Sequence, residues 1–119
     1  MNNPIIKDIR VSLVSGKGDG GDYHSQKEGH WIVDSDISNP MSGYENYRAS
    51  RTSWGIGVLG SILVEVEDDR GNIGVSTGFG GEPAGFLIEK HFARFIRGAD
   101  PRNTNMLWDQ MFRASMFYG

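Results

Sequence analysis

The sequence predicts an α+β fold in which a three-stranded antiparallel meander is followed by helices. β-rich stretches occupy residues 5–14 and 56–77, and a long stretch without a regular period separates them. After residue 83 the apolar spacing becomes helical and remains so nearly to the end. Strands that precede a run of helices are typical of α+β domains.

Composition limits the function before any motif is considered. The 119 residues carry a net charge of −3 with scattered Lys and Arg, so neither nucleic acid nor an anionic membrane is expected as a partner. No stretch approaches the roughly 18 apolar residues that a membrane helix needs. The chain has no cysteine, which excludes disulfides and thiolate metal sites. Together with the lack of an apolar leader, this predicts a cytoplasmic protein.

The first strand is predicted over residues 5–14, IIKDIRVSLV. The stretch is rich in β-branched residues and partly alternates between apolar and polar side chains. A strict alternation would place on one face Ile5, Lys7, Ile9, Val11 and Leu13.

Residues 15–53 are predicted to be a long loop region. They follow neither the helical nor the strand period and are rich in Gly, Ser, Asp and Asn. A connection of this length inside a small domain is usually functional or disordered.

The second and third strands are predicted as a hairpin within residues 56–77. The turn is Asp-Asp-Arg-Gly-Asn, at residues 68–72. Before it, Val64 and Val66 should lie on one face of the sheet and Leu63, Glu65 and Glu67 on the other.

Helices are predicted over residues 83–119. The first begins at Pro83, ends before Gly98 and has His91 on its surface; its apolar positions are Phe86, Leu87, Phe92, Phe95 and Ile96. Thr104 is predicted to cap the second helix, one side of which carries Met106, Leu107, Gln110, Met111 and Ser115. Because the chain ends on bare aromatic residues, we expect a further domain to be missing.

Two sequence motifs match known binding loops only formally. Residues 16–21 fit the GxGxxG pattern, but no apolar-periodic helix follows to receive a pyrophosphate. Residues 34–45 place Asp34, Asp36, Ser38 and Glu45 at EF-hand positions, but Asn39 replaces the turn glycine and neither flank is a convincing helix. A solvated acidic loop explains the second pattern more simply.

Histidine and arginine side chains in residues 15–53 are the remaining candidates. His24 and His30 lack a third ligand at a useful spacing, so ordinary loop histidines are favoured over a metal site. Arg48 and Arg51 lie among Tyr44, Tyr47 and Trp54. That arrangement suits either a bound carboxylate or an arginine that merely covers aromatic surface.

The order of several motifs resembles one enzyme family. GGDYH at residues 20–24 and SRTSWG at 50–55 are accompanied by NPMSGYENYRAS and by DDRGNIGVSTGFGGEPAGFLIEKHFARFI. Together they resemble the N-terminal capping region of L-rhamnonate dehydratases, in the mandelate-racemase branch of the enolase superfamily. The likeness extends over nearly the whole chain.

This resemblance implies an Mg²⁺-dependent lyase whose chemistry lies elsewhere. Family members join an α+β capping domain to a modified (β/α) barrel, which carries the Mg²⁺ ligands and the acid/base residues. Such a barrel needs roughly 250 residues, so no catalytic or metal residue is expected in this chain. The expected reaction dehydrates L-rhamnonate to a 2-keto-3-deoxy sugar acid.

The resemblance also implies that residues 15–53 form specificity loops that close over the barrel. His24 in GGDYH and Arg51 in SRTSWG match the positions that touch the sugar acid. Tyr23, Trp31 and Trp54 would supply apolar walls, or else be buried in the domain. The expected partners are a small acid-sugar substrate and further copies of the protein. A stand-alone sugar-acid binding module and a purely structural fragment remain alternative functions.

Overall fold

The computed structural model describes residues 2–14, 38–48, 53 and 60–118. The chain divides into two units, one formed by Met1–Val14 with Ser61–Gly119 and the other by Ser15–Gly60. Among the described residues, the first unit contains the sheet and the longer helices, and the second contains two short 3₁₀ turns, Pro40–Gly43 and Glu45–Tyr47.

A three-stranded antiparallel sheet forms the base of the first unit. The strands β1 (Ile6–Val14), β2 (Ser61–Asp68) and β3 (Ile73–Phe79) lie in the order β1-β2-β3. Val14 is the pairing partner of Ser61, so residues 15–60 leave and re-enter the sheet at adjacent strand ends. The predicted fold class, an antiparallel meander followed by helices, is confirmed.

A β-bulge makes the predicted face of β1 wrong at its beginning. The pairing shifts between Ile6 and Asp8, so that Lys7 is an extra residue opposite β2. Ile6 and Ile9, three residues apart, are therefore both buried on one face, whereas Ile5 and Lys7 are exposed. Strict alternation could not predict this, because the bulge inserts one residue into the period.

The turn between β2 and β3 is held by the side chain of Asp68. Its carboxylate accepts hydrogen bonds from the backbone N–H groups of Arg70 and Asn72, at 2.9 and 2.8 Å. A third bond comes from the side-chain amide of Asn72, at 2.8 Å. These bonds lower the pKa of Asp68, with the Asn72 side chain as the largest cause. The predicted hairpin and its turn are present.

The helical layer consists of three α-helices and one π-helical stretch. They are α1 (Gly81–Phe86), the π segment (Leu87–Phe92), α2 (Ala93–Ile96) and α3 (Thr104–Ala114), with a 3₁₀ turn at Met116–Tyr118. The first helix thus begins at Gly81, two residues before Pro83. Gly80 precedes it with a φ of 106°, and a Cβ there would lie 2.8 Å from the Cβ of Ala84. Only glycine fits that position without strain.

Two details of the helix predictions are wrong. Thr104 is the first helical residue of α3, and the N-cap is Asn103, whose side chain makes no capping hydrogen bond. Within the first helical stretch the π segment widens the turns, so the 3.6-residue period does not hold there. Phe86, one of the predicted apolar positions, lies in α1 just before this segment and is 63% exposed.

The core lies between the first two strands and the helices. Its buried residues are Ile6, Ile9, Ala93, Ile96 and Leu107. Half-buried side chains from β2, the π segment, the loop after α2 and α3 pack against them: Val64, Val66, Ile88, Phe92, Ala99 and Met111. Val64 and Val66 thus lie on one face of β2, as predicted. Met106, predicted to share one side of α3 with Leu107, is exposed.

Candidate functional site

The residues predicted to touch a substrate lie outside the described residues. This applies to His24 and Arg51, and equally to the predicted apolar walls Tyr23, Trp31 and Trp54. The GxGxxG stretch, His30, Asp34 and Asp36 also lie outside them. Their assignments stay predictions.

In the described part of the second unit, two exposed tyrosines and an exposed arginine lie on or beside short 3₁₀ turns. Asn39 caps the first 3₁₀ turn through a 2.8 Å hydrogen bond from the Met41 N–H to its side-chain oxygen. Tyr44 is 65% exposed and Tyr47 43%, and Arg48 follows them in an exposed position. The Ser53 hydroxyl donates a hydrogen bond to the Tyr47 carbonyl oxygen. Asn39, at the glycine position of the formal EF-hand pattern, thus serves as a helix cap.

A groove in the first unit lies close to the point where residues 15–60 begin. It encloses about 250 Å³ between the end of β1 and the first helical stretch. Its lining residues are Val11, Leu13, Glu82, Gly85, Phe86, Glu89 and Lys90. Across it, the Glu89 carboxylate accepts a 2.8 Å hydrogen bond from the backbone N–H of Val11. The helix therefore holds the outer edge of β1 three residues before that strand ends.

The helix approaches β1 closely at Gly85. A Cβ at this position would lie 3.3 Å from Cγ1 of Val11, which is tighter than ordinary van der Waals contact. Glycine at residue 85 thus allows the close packing of α1 on β1, and with it the Glu89 contact. The sequence showed Gly85 only as one member of a glycine-rich stretch, so this role was missed.

The opposite face of the sheet carries a network of charges centred on Arg10. Its guanidinium lies 2.9 Å from the Glu67 carboxylate, 3.2 Å from Asp8 and 3.8 Å from Glu65. Asp8 is also 3.3 Å from Arg97, at the end of the first helical stretch. The Arg10 hydrogen bond is the largest cause of a lowered pKa at Asp8. Because these groups are solvated, the network orients side chains more than it stabilises the fold.

His91 joins the π segment to the end of α3. Arg94 reaches its Nδ1 at 3.1 Å, and a guanidinium can only donate, so Nδ1 accepts and the proton lies on Nε2. Nε2 lies 3.3 Å from the Ala114 carbonyl oxygen, one of the unpaired acceptors at the helix end. The ring also meets Tyr118 edge to face, at 5.8 Å between centroids. The prediction that His91 is a simple surface residue was wrong, because it contacts the chain end.

The part of the chain that the structure describes offers no place for the expected Mg²⁺. No three His, Asp or Glu side chains within residues 2–14, 38–48, 53 and 60–118 lie close enough together to hold an ion. The described residues therefore do not fit a metal site. In the same ranges, none of the helices has the length and apolar character needed to cross a membrane.

The geometry defines an α+β framework with a long insertion between its first two strands. Two sequence relatives and two solved structures that match the chain are dehydratases. The chain is a homologue of a segment of L-rhamnonate dehydratases, as its sequence motifs predicted. It is 46% identical over 114 residues to the L-rhamnonate dehydratase of Saccharopolyspora erythraea and 47% identical over 114 residues to a putative L-rhamnonate dehydratase of Caldivirga maquilingensis. Each match covers 96% of this chain.

Solved structures agree with the sequence relatives. The rhamnonate dehydratase of Gibberella zeae in complex with Mg superimposes on the whole chain with a TM-score of 0.76 and 60% identity. A second L-rhamnonate dehydratase structure from the same organism superimposes with a TM-score of 0.71 and 54% identity. The chain spans only 28% of the sequence relatives and 27–29% of these structures. No family-level sequence model matches it.

Proposed function

We propose that this chain is the substrate-specificity cap of an Mg²⁺-dependent dehydratase that converts L-rhamnonate to 2-keto-3-deoxy-L-rhamnonate. The observation that carries the proposal is the match of 96% of the chain to proteins named L-rhamnonate dehydratase, at 46–47% identity. The cap would act together with a barrel domain that supplies the catalytic groups, because such proteins are more than three times as long as the matched segment.

The reaction requires a dry and precisely arranged site. The C–H bond next to the carboxylate breaks, the hydroxyl on the following carbon leaves as water, and the resulting enol rearranges to the 2-keto acid. Bound Mg²⁺ would supply positive charge to the substrate carboxylate. Exclusion of bulk water strengthens such electrostatic interactions, and a cap over an open barrel mouth provides it.

We infer that the insertion between β1 and β2 serves as this cap. Residues 15–60 form their own unit and begin and end at the paired residues Val14 and Ser61. Loops that close over a substrate are common in enzymes, and the proposal assigns that role to this insertion. The Glu89 contact to Val11 and the close approach at Gly85 would keep that anchor rigid.

Within the cap, His24 and Arg51 would hold the hydroxyl and carboxylate groups of the sugar acid. Arginine suits a planar carboxylate because its guanidinium donates two parallel hydrogen bonds. A buried donor also discriminates between related acids, because a substrate that lacks the matching hydroxyl leaves the protein group unpaired. Tyr23, Trp31 and Trp54 would line the site and contact the 6-deoxy methyl group.

The first experiment is turnover of an acid-sugar panel by the product of the complete reading frame with Mg²⁺. The panel contains L-rhamnonate, L-mannonate and L-lyxonate, and the 2-keto acid formed is measured. We expect L-rhamnonate to be converted with the highest kcat/KM. A folded product that binds these acids without converting any of them would contradict the dehydratase and favour the stand-alone binding module.

Single substitutions then test the cap residues. His24→Ala and Arg51→Ala should each lower kcat/KM for L-rhamnonate by about tenfold to a thousandfold, because each leaves a substrate group unpaired. Mg²⁺ affinity should stay within about twofold, since neither residue is proposed as a ligand. Arg113→Ala is the control, an exposed arginine on α3 that is paired with Asp109 and is not a candidate for substrate binding. Wild-type kinetics in both test variants would remove the assigned roles.

A further inference from the structure

The π segment contacts two elements that are far from it in sequence. Glu89 accepts a 2.8 Å hydrogen bond from the backbone N–H of Val11 on β1, and His91 lies 3.3 Å from the carbonyl oxygen of Ala114 at the end of α3. Side chains two positions apart on a helix do not face each other, so the two contacts lie on different sides of the segment. Each contact satisfies a backbone group that the regular hydrogen bonds of its own element leave unpaired.

The position of Glu89 is fixed by the packing of its own helix. One turn earlier, a Cβ at Gly85 would lie 3.3 Å from Cγ1 of Val11, so the helix backbone is seated against the same part of β1. After Glu89, the Arg94 guanidinium bonds to both the ring and the backbone carbonyl of His91, each at 3.1 Å. A carboxylate on a helix that is held at both of these points loses little further entropy when it binds Val11.

Beyond Val11 the strand β1 has less support. Ser12, Leu13 and Val14 are all exposed, whereas Val11 is half-buried. On the inner side, β2 pairs with the strand as far as Val14. On the outer side, the bond from Val11 to Glu89 is the last hydrogen bond that the described residues supply before residues 15–60 begin. Glu89 therefore marks the point at which the outer edge of the strand ceases to be held.

We propose that Glu89 is a positioning residue for the cap. By holding Val11 from the outer side, its carboxylate fixes the direction in which the chain leaves β1, and with it the placement of the residues that bind the sugar acid. This inference rests on the proposed function, in which residues 15–60 form the cap over the substrate. Glu89 is assigned no contact with the substrate and acts through the end of the strand. Small displacements of binding groups by distant residues are enough to alter substrate use.

Hydrogen exchange at the end of β1 tests the first step without any substrate. Because the Val11 N–H points outward to Glu89, alternation along the strand directs the N–H groups of Ser12 and Val14 to β2. In the Glu89→Ala variant of the complete reading frame, we expect both groups to exchange about two- to tenfold faster, measured by mass spectrometry of the peptide that contains them. Unchanged exchange at both would overturn the proposal, because the strand end would then be held without Glu89.

Steady-state kinetics tests the second step, the effect on substrate binding. Glu89→Ala should raise KM for L-rhamnonate by about three- to tenfold and change kcat by less than about twofold, since the catalytic groups are expected outside this chain. Glu89→Gln retains an acceptor oxygen and should keep the parent KM. Glu89→Asp retains the charge but is one methylene shorter, so it should behave like Glu89→Ala. A parent-like KM in Glu89→Asp together with a raised KM in Glu89→Gln would show that charge matters and not the hydrogen bond, which would overturn the proposal.

Two control variants separate positioning from a general loss of charge or stability. Glu82→Ala removes another exposed carboxylate that lines the same groove. Ile96→Val trims a core side chain that is 7% exposed and lowers the Tm without removing the Glu89 contact. Both should keep the parent KM. If KM rises in Ile96→Val as much as in Glu89→Ala, the effect follows from lost stability and the positioning role is wrong.

Failure of this proposal and failure of the dehydratase proposal give different results. A parent protein that converts L-rhamnonate, with an unchanged KM in Glu89→Ala, retains the dehydratase and overturns the positioning role. A parent protein that converts no acid contradicts the dehydratase, and the affinity for L-rhamnonate, measured by calorimetry, then replaces KM in the same comparison. Exchange at Ser12 and Val14 needs neither turnover nor binding, so it decides in every case whether Glu89 holds the strand end.

Discussion

The β1 side and the β3 side of the sheet differ in what they contribute to the molecule. On the β1 side, the buried residues Ile6 and Ile9 pack against both helical stretches, and even the strand edge is hydrogen-bonded. On the β3 side, six of the seven residues are exposed. The difference teaches that, among the described residues, two strands of this small sheet make most of its buried contacts.

Truncation of one aliphatic side chain on each side should give the largest contrast. Ile9→Ala removes a side chain that is 4% exposed and should lower the free energy of unfolding by about 2–5 kcal/mol. Val75→Ala on β3 should cost less than about 1 kcal/mol, since little burial is lost. Urea unfolding followed by circular dichroism measures both. Equal losses would mean that β3 is buried in the intact protein.

Glycine substitutions should reproduce the contrast with a smaller effect. Gly85→Val forces branched atoms against Val11 and should cost about 1–3 kcal/mol, because neither the helix nor β1 can move freely. Gly74→Val on β3 has only the Val66 carbonyl oxygen nearby, at 4.0 Å, and should be neutral or slightly stabilising. The same unfolding measurement applies. A neutral Gly85→Val would show that the helix is less firmly seated than the distances indicate.

Removal of the Glu89 contact should open the protected edge locally. In Glu89→Ala the Val11 N–H loses its acceptor, and its hydrogen exchange should become about two- to tenfold faster, which corresponds to roughly 0.5–1.5 kcal/mol. Glu89→Gln retains an acceptor oxygen and should stay near the parent rate. Exchange at Val11 that is insensitive to both substitutions would show that this hydrogen bond does not protect the edge.

A low pH should slightly reduce the stability of the β1 side of the sheet. Asp100 follows the turn that pairs with Ile6, and the Arg102 guanidinium lowers its pKa from 3.8 to about 2. A folded-state pKa below the unfolded one means that this stabilisation is complete above pH 4 and is lost as pH falls towards 2. The unfolding free energy of Asp100→Asn should therefore depend less on pH in that window. Parallel pH curves for the variant and the parent would contradict the assignment.

Local patterns predicted the elements that depend on neighbouring residues. The hairpin turn is one example, because Asp68 and Asn72 make its hydrogen bonds within five residues. The alternation of Val64 and Val66 with Leu63, Glu65 and Glu67 is another, since β2 pairs on both sides without a bulge. The resemblance to L-rhamnonate dehydratases likewise rested on short motifs. A relative that matches 96% of the chain at 46% identity confirms it.

Predictions failed where the phase of a pattern changed inside an element. The bulge at Lys7 reverses the face of the first residues of β1, and the π segment interrupts the 3.6-residue period of the first helical stretch. Both irregularities are set by packing between distant parts of the chain, which a local period cannot register. His24 and Arg51, the substrate residues, rest on the resemblance alone and await the kinetic test.

The sequence by itself determined the order of strands and helices, the turn chemistry and the resemblance to L-rhamnonate dehydratases, because each depends on residues close together in the chain. Only the tertiary structure showed that Gly85 lets the helix pack closely on β1 and that Glu89 accepts a hydrogen bond from the outer edge of that strand. It also showed that β3 is mostly exposed among the described residues. Glu89 and Val11 are 78 residues apart in sequence. Such contacts arise when the helices pack on two strands and not on the third, and no short stretch of sequence encodes that choice.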